Sequence, residues 1–200
     1  MRYLSLILLF AGPTFGQIHN RLIKMNVGFS SEAIVHKSDV EAYADTSSIP
    51  FEFVSSSPAI SFTHEWILGN VLSISGRAGF QYMNMYYNHQ HYGSPYVNLS
   101  VNPALSLFYR KRFEYYVKLQ IGVNYWMNNP ELLSPALHRV FPEKLNIFTG
   151  VTLGGFNYYF SDKWGANLEL SLWSPELCTF GISYRFFKGE LPSIQELQEL

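Results

Sequence analysis

Apolar side chains recur at every second position in eight stretches of this chain. Successive side chains of a strand point to opposite faces, so each stretch reads as a strand with one apolar and one polar face. Phe180, Ile182, Tyr184 and Phe186 are separated by Gly181, Ser183 and Arg185. Ile23, Met25, Val27 and Phe29 alternate with Lys24, Asn26, Gly28 and Ser30, and Trp164, Ala166, Leu168, Leu170 and Leu172 with Gly165, Asn167, Glu169 and Ser171. The same pattern runs through 60–68, 72–82, 97–107 and 115–125. The stretch 145–160 changes parity: Leu145, Ile147, Val151 and Leu153 give way to Phe156, Tyr158 and Phe160. Gly154-Gly155 sits at the change and predicts a β-bulge, while Pro103, lacking an N–H, predicts a second irregularity.

The links between strands differ in length. The expected long ones are 35–57, 88–95 and 127–143; the short ones are Gly69-Asn70, Arg110-Lys111-Arg112, Ser161-Asp162 and Ser174-Pro175-Glu176. Long and short links alternate, apart from the last. An up-and-down membrane barrel has this asymmetry, with short turns at one rim and longer loops at the other. Aromatic residues gather at both rims. Trp66, Tyr109, Tyr115, Tyr158, Phe160, Trp164, Tyr184 and Phe186 fall near the short turns, and Tyr82, Tyr86, Tyr87, Tyr96, Tyr125, Trp126 and Trp173 near the loops. Two such girdles are expected where amphipathic rings meet the two bilayer interfaces.

Composition separates this reading from a soluble barrel. A lipocalin-like barrel also alternates, with its apolar face inward and a charged exterior. Only 14% of residues are charged here, against about 25% in ordinary soluble domains. The polar face is rich in Gly, Ser, Asn and Thr, with Lys24, Arg77, Lys118 and Arg185 set among Glu65, Glu114 and Glu169. A net charge of −1 gives no basic stripe for nucleic acid.

The first 16 residues read as a cleavable secretory signal: Arg2, an apolar stretch from Tyr3 to Gly12, then Pro13-Thr14-Phe15-Gly16 with small residues before the cut. The expected mature chain starts at Gln17, and no cysteine follows the cut to carry a lipid anchor. The lone Cys178 is expected to behave as a small hydrophobe. The expected organisation is therefore signal peptide 1–16, an all-β, eight-stranded antiparallel up-and-down transmembrane barrel 17–187, and a short periplasmic tail 188–200.

With these residues in place, the chain resembles the eight-stranded outer-membrane barrels of the OmpA/OmpX type, in particular the compact barrels of the Bacteroidetes. The resemblance covers about Leu22 to Phe187. It rests on the architecture and on Phe180-Gly181-Ile182-Ser183-Tyr184-Arg185-Phe186, which is similar to the terminal strand that the barrel-assembly machinery recognises. It implies a monomer in the outer membrane, both termini periplasmic, surrounded by lipid and lipopolysaccharide.

No catalytic, cofactor or metal site is expected from the residues. The lumen charges read as mutually paired filler, because eight strands enclose just enough space for side chains. His89 and His91 read as exposed loop residues, His138 as another loop residue, and His64 as an apolar-face residue near an interface. A structural, adhesive or protective barrel is the leading reading. A lipid A deacylase or acyltransferase, requiring a nucleophile with an oriented base, and a soluble periplasmic binding barrel are the alternatives. The loops 35–57 and 127–143, with Asp39, Glu41, Asp45, Phe51, Phe53, Leu132, Leu133 and Phe141, are the expected functional surface.

Overall fold

A computed structural model describes residues 20–30, 34, 51–68, 71–87, 90–110, 112–127 and 144–187. The secretory segment, the Gly69-Asn70 turn, most of the first and third outer links, His89, His138 and the tail 188–200 lie outside the described residues.

Nine strands appear among the described residues: β1 (Asn20–Ser30), β2 (Phe51–Ser56), β3 (Ala59–Ile67), β4 (Leu72–Tyr87), β5 (Gln90–Arg110), β6 (Phe113–Trp126), β7 (Leu145–Tyr159), β8 (Trp164–Leu172) and β9 (Glu176–Phe187). Every pairing is antiparallel. Around the sheet the order is β4, β3, β1, β9, β8, β7, β6, β5, and β5 returns to β4. Because β2 and β3 pair consecutively with β4, they form one stave in two pieces, and the barrel has eight staves.

The break in that stave lies at Ser57-Pro58. Proline cannot donate to a ladder. Ser57 bridges the gap instead: its N–H donates to the Tyr82 carbonyl at 2.8 Å, and its hydroxyl accepts the Tyr82 N–H at 2.9 Å. Expected as loop, Phe51–Ser56 therefore continues the stave beyond the break.

A second expected loop is also strand. Gln90–Pro95 pairs with Tyr82–Tyr87, so β4 and β5 form a long hairpin that rises past the end of β6, which stops at Trp126 opposite Tyr96. Of the outer link expected at 88–95, Gln90–Pro95 is strand, its backbone paired with Tyr82–Tyr87.

Side-chain orientation settles which face meets which solvent. Leu168 is 39% and Ile182 52% exposed, whereas Glu169 is 2% and Lys118 4% exposed. In β8 the alternation is unbroken from Trp164 to Leu172. Apolar residues cover the outside and polar residues fill the inside, the reverse of a lipocalin-like barrel. A closed sheet of this kind suits a bilayer core, where no water is available to unpaired N–H groups.

The parity changes are β-bulges. In β7 the shift falls between Thr152 and Gly154, one position before the expected glycine pair. Gly155 is needed beside it, because a Cβ there would run into the Tyr116 ring. In β5 the register toward β6 is the same on both sides of Pro103, and the bulge lies instead between Ser106 and Phe108. A third bulge lies between β1 and β9, where Phe29 pairs with Cys178 but Ser30 with Glu176.

At the turn rim an outward aromatic belt is present. Trp164 packs edge-on against Tyr184 at 4.8 Å between centroids, Tyr184 against Phe186 at 4.7 Å, and Tyr115 lies 5.1 Å from Phe156. At the loop rim Tyr86, Tyr125 and Trp173 face outward and are exposed. Tyr96 and Trp126 do not join them. Both are buried, because they share the parity of inward-facing Asn98 and Asn124.

Replacing the mid-strand outward Leu168 with Arg is expected to destabilise the folded barrel by about 2–4 kcal/mol. Denaturant unfolding in lipid vesicles measures this, and an unchanged midpoint contradicts the outward assignment.

Candidate functional site

The interior of the barrel is the most highly organised part of the described molecule. Six ionised side chains project into its centre: Lys24 from β1, Glu65 from β3, Arg77 from β4, Lys118 from β6, and Glu169 and Glu176 from β8 and β9. Each is at most 8% exposed. Three positive and three negative groups leave the cluster formally neutral.

Glu169 is the hub. Its carboxylate accepts a hydrogen bond from Lys118 Nζ at 2.6 Å and from the Tyr116 hydroxyl at 2.6 Å, and Arg77 Nη1 lies 3.5 Å away. Lys24 Nζ stands 2.9 Å from Glu65 and donates to the Tyr116 hydroxyl at 3.0 Å. Arg77 also pairs with Glu176 and donates to Ser61 Oγ at 2.8 Å. Ser73 donates to Glu65 at 2.5 Å.

Two of these contacts cross the full diameter. Counting round the sheet, β1 and β6 are four staves apart, and so are β4 and β8. The Lys24–Tyr116 and Arg77–Glu169 contacts therefore join opposite walls. An isolated buried charge is strongly disfavoured, and pairing with extra hydrogen bonds offsets that penalty.

Further polar layers lie toward each rim. On the turn side, Glu114 accepts from Ser106 at 2.6 Å and Asn157 at 2.9 Å, and the Arg185 guanidinium lies 3.6 Å from the centroid of Tyr159. On the loop side, Gln120 donates to Thr152 at 2.9 Å and accepts from Ser174 at 2.8 Å. Beyond it Met83, Tyr96 and Trp126 form a buried apolar cluster, with the two rings 4.8 Å apart.

Sequence reasoning placed Lys24, Glu65, Arg77, Glu114, Lys118, Glu169 and Arg185 on the polar face, and the structure brings the first three together with Lys118 and Glu169. It missed Glu176, which was expected in a link. Under strict alternation Glu176 shares the parity of Cys178; the bulge between Phe29 and Ser30 resets it. The short link before it turns at Trp173, whose φ of 54° is left-handed. The sequence signal was weak: two consecutive apolar residues, Leu177-Cys178, where alternation should hold.

The two histidines among the described residues, His64 and His91, do not converge. His64 lies on the outer face, its ring 4.5 Å from that of Trp66. His91 packs edge-on against Tyr86 at 5.4 Å in the projecting hairpin. Among the described residues, no group of three His, Cys, Asp or Glu side chains is placed to hold a metal ion.

No protein-family model matches the sequence, and no curated protein matches it. Eleven chains among solved structures match this one. One, described as de novo design of transmembrane β-barrels, shares 14% identity over 85% of this chain and 98% of its own, with a TM-score of 0.47. Another, Ail, the attachment invasion locus protein of Yersinia pestis, shares 7% identity over 84% of this chain and 99% of its own, with a TM-score of 0.40. The eight-stave barrel itself follows from the strand pairing.

Glu169→Gln leaves three buried cations facing two carboxylates and is expected to cost about 3–5 kcal/mol, the usual effect of removing one partner from a buried pair. Lys118→Gln with Glu169→Gln restores charge balance and should cost less than Glu169→Gln alone. A double-mutant unfolding cycle in vesicles reads this, and additive losses would contradict coupling between the two.

Proposed function

We propose that this chain is an integral outer-membrane barrel protein of structural, adhesive or protective type, with a side-chain-filled lumen and no catalytic centre. On this reading residues 1–16 direct export, the barrel-assembly machinery inserts 17–187, and 188–200 form a short periplasmic tail. Both termini face the periplasm, the protein is a monomer, and its surroundings are outer-membrane lipid and lipopolysaccharide.

The observation that carries the proposal is the pair of contacts across the lumen inside an apolar exterior. Lys24 meets Tyr116 and Arg77 meets Glu169 across the whole width of the barrel. An interior occupied in this way leaves no wide solute path and assigns the protein's work to its rims. The loop rim is the favoured surface, because the β4–β5 hairpin, flanked by β2, projects beyond β6 there. Binding residues commonly sit on such extensions of a rigid scaffold.

Fractionation followed by gel migration with and without boiling tests this reading. The protein is expected in the detergent-extracted membrane fraction, with the unboiled folded form migrating differently from the boiled one. Recovery in the soluble periplasm, or no change on boiling, would overturn it.

A further inference from the structure

Most glycines of the sheet sit where a Cβ would collide with a neighbour. Gly76 does not: among the described glycines it is the one whose Cβ would meet no atom within 4 Å. It shares the outward parity of Ala78 and Phe80 on β4. No bulge accounts for it, since the pairing of β4 with β3 and with β5 runs through Gly76 without a shift. A glycine inside a regular strand commonly marks a place where a ligand approaches the backbone closely.

The missing side chain opens a furrow in the outer wall. Two register rows frame it. One runs His64–Gly76–Val101–Ile121 and the other Phe62–Ala78–Leu99–Val123. Gly76 and Ala78 are the small members, and larger apolar side chains stand on both sides of them. The resulting groove has a volume of about 470 Å³. Small-ligand sites usually span about 300–1,000 Å³ with mostly apolar walls. His64 lies near the turn end of β3, whereas Ile121 lies past the middle of β6 toward the loop rim. The furrow therefore climbs obliquely from the turn side of the wall.

Its lower end is polar. His64 faces outward level with Gly76, and its ring is 4.5 Å from that of Trp66, the next outward residue toward the turn rim. It forms no hydrogen bond with the described residues. Ionisable side chains at membrane depth are costly, and they mark functional sites.

We propose that this furrow holds one acyl chain of a phospholipid from the turn-side leaflet, with the His64 imidazole hydrogen-bonded to the ester at the head of that chain. The inference rests on the bilayer location proposed above. In that location the groove opens onto hydrocarbon, and an apolar furrow one strand wide suits a flexible chain. The order of groups also matches a lipid: a polar contact at the turn end beside Trp66, then apolar walls rising over Gly76 and Ala78 to Ile121. A second barrel fits less well, because its wall is broad and convex and the exposed Phe62 and Leu99 flank the furrow.

Native mass spectrometry of the folded protein, released from detergent micelles carrying palmitoyl-oleoyl phosphatidylethanolamine, tests the site. The wild type is expected to retain one lipid per barrel. Gly76→Leu, set in open space, should lower the lipid-bound fraction at least fivefold, and His64→Leu at least twofold. Ala166→Leu, outward on β8 across the barrel, should leave it unchanged. Wild type that retains no lipid, equal retention in Gly76→Leu, or an equal fall in Ala166→Leu would overturn the proposal. So would a wild-type dimer that Gly76→Leu dissociates. Unchanged retention in His64→Leu would overturn the polar contact. Ala78→Leu fills the same furrow and decides the matter if Gly76→Leu does not fold. The gel shift on boiling is read in parallel: its absence in the wild type counts against the membrane barrel itself, whereas lost lipid selectivity with the shift intact counts against the furrow alone.

Discussion

Closure of the hydrogen-bond ladder is the condition on which everything else in this molecule depends. In a bilayer core a backbone N–H without a neighbour has nothing to bond to, so the sheet must return on itself through the β4–β5 pairing. The chain meets local obstacles to that closure in different ways. At Pro58, Ser57 bonds Tyr82 through both its N–H and its hydroxyl. At Pro103 the register holds on both sides of the ring. At the bulges an extra residue is absorbed on one strand while its neighbour continues.

Closing so few strands creates a second demand. The lumen is narrow, and the inward half of every strand must fill it without apolar bulk that would compete with the lipid-facing side. The charged fillers can be buried only if they are paired and hydrogen-bonded. The central cluster does so by opposing three cations to three carboxylates and reaching across the diameter. Glu169 joins both halves of the network, and Tyr116 serves as bridge between Lys24 and Glu169. The bulge in β7 is part of the same arrangement, because Gly155 leaves room for the Tyr116 ring.

Much of this was legible in the residue pattern. The outward set of β8 could be read one residue at a time, and the polar face of β1, β3, β4, β6 and β8 named most of the ion cluster. Tyr96 and Trp126 were legible too, had parity been put before proximity to the rim: Val97 and Tyr125 point outward, so their neighbours point in. The strand character of 51–56 and 90–95 was harder to see, because extension past the rim depends on whether a neighbouring strand is long enough to pair with it. Glu176 was hidden for a different reason. A bulge reverses parity, and its position reflects how two strands fit side by side.

By itself, then, the sequence determined the period of two, the number of staves and the separation of an apolar face from a polar one, because side-chain alternation is a local property of extended backbone. It also determined that the polar face carries both signs of charge. Only the tertiary structure decided which charges meet, since Lys24 and Tyr116, or Arg77 and Glu169, are far apart along the chain and become neighbours through closure alone. It likewise decided where the ladder slips. Those features arise from register between strands, and register is set by how the whole cylinder packs and not by any one segment.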